Sequence, residues 1–227
     1  MSSTTESVST TRSATEMPTV HLERMDDGTI AVLTLDDPKR ANAVSPQMGD
    51  ALTQHVRSLI NDTALRAVII RGAGKDFSIG GHRDMLISLG DGTRSEKELH
   101  DFMLAFYNRW LPVLDLPVPV VVVLQGDCIG VAPVFACAAD IAIADETLSL
   151  QVTFASLGFY PGMALPELLK RRVGPITRCA CAPPTRPLPD ERPNNWAWSI
   201  SAWTRAPSNT RSRLLARSPP PHRPSSS

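Results

Sequence analysis

Residues Pro119–Asp140 read PVVVVLQGDCIGVAPVFACAAD, and the reading of this stretch decides the fold. Val120 to Leu124 is an unbroken apolar run, too short to span a bilayer and rich in β-branched residues. Such a run predicts a strand buried on both faces, as in a sheet covered by helices. Gln125-Gly126 ends the strand, and Gly130 marks a second tight turn into an Ala-rich helical segment, Val131 to Ala139. A strand that passes through glycine into a helix leaves backbone N–H groups at the helix start, aimed at whatever lies beyond. Such groups can hold a developing negative charge without any side chain. On these residues alone, an ordinary βα turn of an α/β core is the simpler account.

On the N-terminal side, Val20–Met25 and Thr29–Leu35 flank Asp26-Asp27-Gly28, a hairpin signal. Ser45-Pro46 supplies a helix cap followed by proline at the first helical position. Met48, Ala51, Leu52, His55, Val56, Leu59 and Ile60 then fall on one helical face. His55 on that apolar side reads as packed core. Ala67–Ile70 is another short buried strand. The second informative stretch follows it: KDFSIGGHRDM, Lys75 to Met85, with Gly80-Gly81 just before a segment able to start a helix. A glycine pair there either cradles an anion or merely turns the chain. Leu99 to Leu116 reads as a helix with Phe102, Phe106 and Trp110 in the core. Ile141–Ala144 and Leu148–Val152 are short strands, and Leu165–Arg172 is a short helix. Strands alternating with helices define an α/β class.

The bulk composition narrows the function classes. Among 227 residues, 23 Lys and Arg balance 23 Asp and Glu, so no basic field suggests a nucleic acid or a membrane surface. The Ser/Thr-rich residues 1–17 lack an apolar segment and are expected to be disordered, with no secretory or organelle signal. Cys128 and Cys137 sit in the apolar stretch and read as small buried hydrophobes. The four cysteines make no metal-ligand spacing with a histidine pair. A cytoplasmic protein with reduced thiols is the expectation.

Three stretches together resemble the crotonase (enoyl-CoA hydratase/isomerase) superfamily. LDDPKRANAVS, Leu35–Ser45, is similar to its acyl-CoA loop L-x-x-P-x-x-x-N-A, and FSIGGHRDM is similar to F-x-x-G-A-D. VVVLQGDCIGVAPVFACAAD with SLGFYPGMALPELLKRRVG is similar to N-G-x-A-x-G-G-G…CD followed by L-G-x-x-P-G-x-G…L-x-R-x-x-G. The resemblance covers about Val20 to Gly174, and the order and spacing of the motifs carry it. It implies a ββα spiral core and an acyl-CoA thioester as ligand, with no cofactor beyond that coenzyme A and no metal. It also implies that two backbone N–H groups, here Gly81 and Val131, hold the thioester oxygen, next to Gly80 and Gly130. Lys39, Arg40, Ala41 and Ala43 would receive the nucleotide end of coenzyme A, the basic pair meeting phosphate.

The departures from the pattern matter as much. The two glutamates that add water across the double bond in hydratases fall here on Val134 and Phe154, neither of which moves a proton. The acidic residue of the glycine motif is replaced by His82. The chemistry left is that of the oxyanion hole alone, such as decarboxylation of a malonyl-type thioester, or that of a substitute acid or base. Tyr160 and His82 are the candidates, and for His82 a solvent-facing residue at a helix start is an equal reading. A non-catalytic acyl-CoA-binding protein that kept the fold is the alternative function.

After residue 175 the composition changes. Residues 176–227 hold half of the 20 prolines, no lysine and three of the four tryptophans, with no apolar periodicity. The domain expectation is therefore a tail at 1–17, a core over 18–175 and an irregular segment over 176–227. Family members continue with helices that build a trimer or hexamer, an assembly this segment is not expected to support. Asn195-Trp196-Ala197-Trp198-Ser199 back-translates almost uniquely, and one base earlier it reads Leu-Gly-(Leu/Val/Met)-Val where Ser199 uses a TC codon. A frameshift between about Gly174 and Asn195 is the corresponding hypothesis, which the gene's nucleotides test directly: a frame without a continuing crotonase-like helix removes it.

Overall fold

The computed structural model describes residues 17–154 and 160–172, and the backbone of Thr204–Arg205. Strands β1 (Thr19–Met25) and β2 (Ile30–Asp36) form the antiparallel hairpin expected from Asp26-Asp27-Gly28. Both aspartates sit in the left-handed region (φ 53° and 54°), which a short polar side chain tolerates better than most. Helix α1 (Pro46–Ile60) begins as its sequence dictates: the Ser45 hydroxyl accepts from the Met48 N–H at 3.3 Å, and Pro46 follows the cap. Met48, Leu52, Val56 and Leu59 are buried on its inner face. His55 is only half-buried, its Nε2 lying 2.9 Å from the Val20 carbonyl. That contact ties α1 to the hairpin.

Strands β3 (Ala67–Gly72), β4 (Val120–Leu124) and β6 (Ile141–Ala144) continue the sheet in parallel, in the order β1-β2-β3-β4-β6, with Thr204–Arg205 (β8) pairing parallel on β6. Between β3 and β4 run α2 (Arg83–Gly90) and α3 (Glu96–Tyr107). Between β4 and β6 run β5 (Asp127–Ile129) and α4 (Pro133–Ala138), and β5 pairs with β7 (Ser149–Gln151) in a second, two-stranded sheet. Residues 165–172 form helix α5. Helical crossovers between parallel strands make this an α/β fold, as expected.

Several local readings change. The strand covered on both faces is β2, whose residues from Ala31 to Asp36 are all buried, whereas β4 keeps Val121 and Val123 half-buried. Asp127–Ile129, between the two expected turns, is a strand. Helix α4 is shorter than Val131–Ala139: Ala132 N–H turns back to the Ile129 carbonyl at 3.1 Å, and helix begins only at Pro133. Helix α3 starts earlier than Leu99, with Ser95 and Glu98 forming a reciprocal capping box, and it ends at Tyr107. Beyond it the chain tightens, the Arg109 and Trp110 N–H groups turning back to the Phe106 and Tyr107 carbonyls at 3.2 and 3.0 Å, and Pro112 opens a short 3-10 turn over Leu111–Asp115. Phe106 and Trp110 do pack in the core, Trp110 meeting Phe135 edge to face at 5.7 Å. Phe102 does not: it lies half-buried, with the Arg94 guanidinium 4.9 Å over its ring.

Asp140 pins two elements at once. Its Oδ2 accepts from the Val120 N–H at 2.7 Å, fixing the start of β4, and its carbonyl accepts from Arg172 of α5 at 3.2 Å. The expected irregular segment lies outside the described residues apart from β8.

Candidate functional site

The two glycine-rich turns, some fifty residues apart in the chain, are stitched side by side. Ser78 N–H donates to the Asp127 carbonyl and Ile129 N–H to the Ser78 carbonyl, each at 3.0 Å, so Ser78 and Cys128 form a short parallel bridge. Gly80 is what permits the approach. Its φ is +86°, and a methyl group there would lie 2.5 Å from the Ile129 carbonyl oxygen. Gly130, also left-handed at φ 65°, turns the second strand away toward α4.

A third stretch locks onto the first. Val44 N–H donates to the Gly80 carbonyl at 2.7 Å, and His82 N–H returns to the Val44 carbonyl at 3.0 Å. Asn42 holds that loop in place. It is fully buried; its Oδ1 accepts from Asp37 N–H at 2.9 Å, and its Nδ2 donates to the Ala73 and Asp76 carbonyls at 2.8 and 2.9 Å. The asparagine of the N-A motif therefore builds the site and does not face it. Ala43 is 2% exposed, so its methyl packs inward and offers no surface to a ligand. Lys39, Arg40 and Ala41 lie outside; Arg40 sits 3.2 Å from Asp37 as an ion pair, and Ala41 is left-handed at φ 48°.

With these ties made, the N–H groups of Gly81 and Val131 donate to no acceptor among the described residues. Both residues line one cavity of ≈ 110 Å³. Met85, Leu86 and Leu89 of α2 and Met103, Phe106 and Tyr107 of α3 form much of its wall, and Phe154 and Tyr160 also line it. Among the described residues, no aspartate, glutamate, histidine, lysine or arginine lines it, and the side-chain polar groups are those of Tyr107, Thr153 and Tyr160. His82 does not line the cavity. It sits at the start of α2 with Nδ1 3.9 Å from an Asp84 carboxylate oxygen that is largely exposed. Tyr160 reaches the cavity but is 83% exposed. Val134 is buried in α4, outside the lining, whereas Phe154 contributes to it.

Of the residues singled out in the sequence, Gly81, Gly130, Val131 and Tyr160 line this cavity and Gly80 stands beside it in the chain, whereas Tyr107 was not singled out. Its signal was present, since Met103 and Tyr107 stand four apart on α3 and share a face distinct from the fully buried one. Cys128 lies directly beneath the junction of the turns. It is fully buried and free, and burial, with lesser contributions from Cys137 and Asp127, pushes its thiol well above the ordinary value.

Fold and paired turns together define a crotonase-type α/β core, and comparison with known proteins agrees. The enoyl-CoA hydratase/isomerase family model matches residues 26–180, and the chain belongs to that family, within the crotonase superfamily. The Mycobacterium tuberculosis protein named "Probable enoyl-CoA hydratase EchA14" is 32% identical over 155 residues, 68% of this chain and 59% of that one. The 1,2-epoxyphenylacetyl-CoA isomerase of Escherichia coli is 27% identical over 174 residues, 75% of this chain and 66% of its own length. An enoyl-CoA hydratase/isomerase structure from Marinobacter aquaeolei superposes with a TM-score of 0.65 at 25% identity, covering 72% of this chain and 62% of that one. The chain thus spans about three-fifths of the mycobacterial relative. Among the described residues no helix is long and apolar enough to cross a membrane.

Proposed function

We propose that this protein binds an acyl-CoA thioester whose carbonyl oxygen is received by the N–H groups of Gly81 and Val131. The observation that carries the reading is the pair of unbonded backbone donors, each from one glycine-rich turn, lining the same apolar cavity. Backbone donors held by a rigid frame need no reorganisation as charge develops on the oxygen, which is how such a pair stabilises an enolate. Val131 in place of the family's glycine keeps the N–H that matters. Lys39 and Arg40, exposed on the loop that Asn42 anchors, would meet the phosphates of coenzyme A.

Water addition by a two-carboxylate mechanism is not part of the proposal, because Val134 and Phe154 occupy the positions that the family motif gives to glutamates. Of the two substitute groups, Tyr160 is favoured over His82, since only Tyr160 reaches the cavity. The absence of any carboxylate or imidazole among the described lining residues favours a second reading as well, a binding protein that turns nothing over.

The test is calorimetric titration of the full chain with a panel of short acyl-CoA thioesters, followed by product analysis of each mixture. Binding accompanied by chemical change, lost in Tyr160→Phe, supports an enzyme with a substituted proton donor. Binding without change supports the non-catalytic reading. A folded sample that binds none of the thioesters overturns both.

A further inference from the structure

The group in the acyl cavity that neither the oxyanion pair nor the family motifs explain is Tyr107. It stands at the C-terminal end of α3, lines the same cavity as Gly81 and Val131, and is half-buried. Its ring is confined on two sides. Phe106 packs against it at 6.0 Å between centroids, and on the other side its hydroxyl lies where a side chain of Gly162 would be. A methyl at Gly162 would fall on that oxygen, so the Pro161-Gly162 turn gives the phenol its place. Held this way, the hydroxyl makes no hydrogen bond to any described residue. Thr153, by contrast, already has an interaction of its own.

The hydroxyl is not among the buried side-chain atoms left without a partner, so solvent reaches it; a ligand that fills the cavity takes that water away, and only one that brings an acceptor replaces the lost bond. We propose that Tyr107 is a specificity-determining residue of the cavity, donating a hydrogen bond to a neutral oxygen on the acyl chain, so that the preferred ligands are oxo- or hydroxyacyl-CoA thioesters over plain alkyl ones. The oxygen is neutral because the described residues of the lining include no lysine, arginine or histidine, and an unpaired carboxylate among Met85, Leu86, Leu89, Met103 and Phe154 would lose its hydration without a counter-ion. Burial pushes the Tyr107 phenol above its ordinary value, so it remains a donor throughout the physiological range. The plain alkyl analogue is disfavoured because it leaves the hydroxyl unpaired, the kind of difference by which polar sites discriminate.

This inference rests on the acyl-CoA reading, and one experiment separates the two. The full chain and its Tyr107→Phe variant are titrated calorimetrically with butyryl-CoA, 3-oxobutyryl-CoA and succinyl-CoA. Phenylalanine keeps the ring and removes only an unbonded oxygen, so the variant retains the packing. The expected result is that the wild type prefers 3-oxobutyryl-CoA, and that Tyr107→Phe weakens this ligand about tenfold while leaving butyryl-CoA within about twofold. Equal effects on both ligands, or none on either, overturn the role of Tyr107 and leave the thioester reading standing. A wild type that prefers succinyl-CoA overturns the claim of a neutral oxygen. Failure of the wild type to bind any of the three overturns the thioester reading and this inference with it.

Discussion

Replacing Asn42 with alanine removes the side chain that fixes the loop behind the site, and the cost can be worked from its partners. Asp37 N–H, the Ala73 carbonyl and the Asp76 carbonyl each lose a hydrogen bond of 2.8–2.9 Å at a fully buried position. At ~1 kcal/mol for each buried group left unpaired, the lower end of the usual range, the three come to ~3 kcal/mol. Asn42 also sits at φ 53°, where alanine adds ~1 kcal/mol of backbone strain. The expected loss is therefore ~4 kcal/mol, a large share of the ~5–15 kcal/mol that holds a domain together. Urea denaturation followed by far-UV circular dichroism measures it. Asn42→Gly serves as the control, since it loses the same three bonds but accepts the left-handed backbone. It should be no less stable than Asn42→Ala. A loss under ~1.5 kcal/mol for alanine would refute the assignment of Asn42 as the anchor, and a glycine variant weaker than the alanine one would refute the strain argument.

Three further outcomes are expected. Gly80→Ala forces a methyl to within 2.5 Å of the Ile129 oxygen at a positive φ, and should lower stability by ~2 kcal/mol, a fall of ~4–8 °C in a thermal melt; an unchanged melt would mean that the turns do not touch as described. Ser95→Ala should cost ~1 kcal/mol by removing the cap of α3. The Ser95 hydroxyl and N–H hold the Glu98 carboxyl below its ordinary value, so that contribution is present above the ordinary value and fades as pH falls through the lowered one. Urea titrations at neutral and acidic pH should show this fading in the wild type and a smaller one in Ser95→Ala, which keeps the N–H but loses the hydroxyl. Cys128 should resist iodoacetamide at pH 8 in the native protein and react after unfolding, read by mass spectrometry of its peptide; labelling of the folded chain would contradict its burial and raised thiol.

Sequence by itself determined the elements whose signals are local. Asp26-Asp27-Gly28 fixed the hairpin, Ser45-Pro46 fixed the start of α1, and the valine run fixed β4, because turn chemistry, capping and β-branching act over a few neighbouring residues. The order of the glycine-rich motifs also carried the family. The tertiary structure decided which backbone groups stay unpaired, which depends on the bridge between Ser78 and Cys128 and not on either turn alone. It decided that Asn42 and Ala43 face inward while Lys39 and Arg40 face out, a matter of how the loop folds against residues 73–76. It separated Tyr160 from His82, which sequence left as equals, because only the packing of α2 and α3 settles what borders the cavity. Tyr107 carried a spacing signal on α3, but its place could not be read locally: its neighbour Gly162 lies far along the chain, and only in the folded protein does the missing side chain of one residue make room for the hydroxyl of the other.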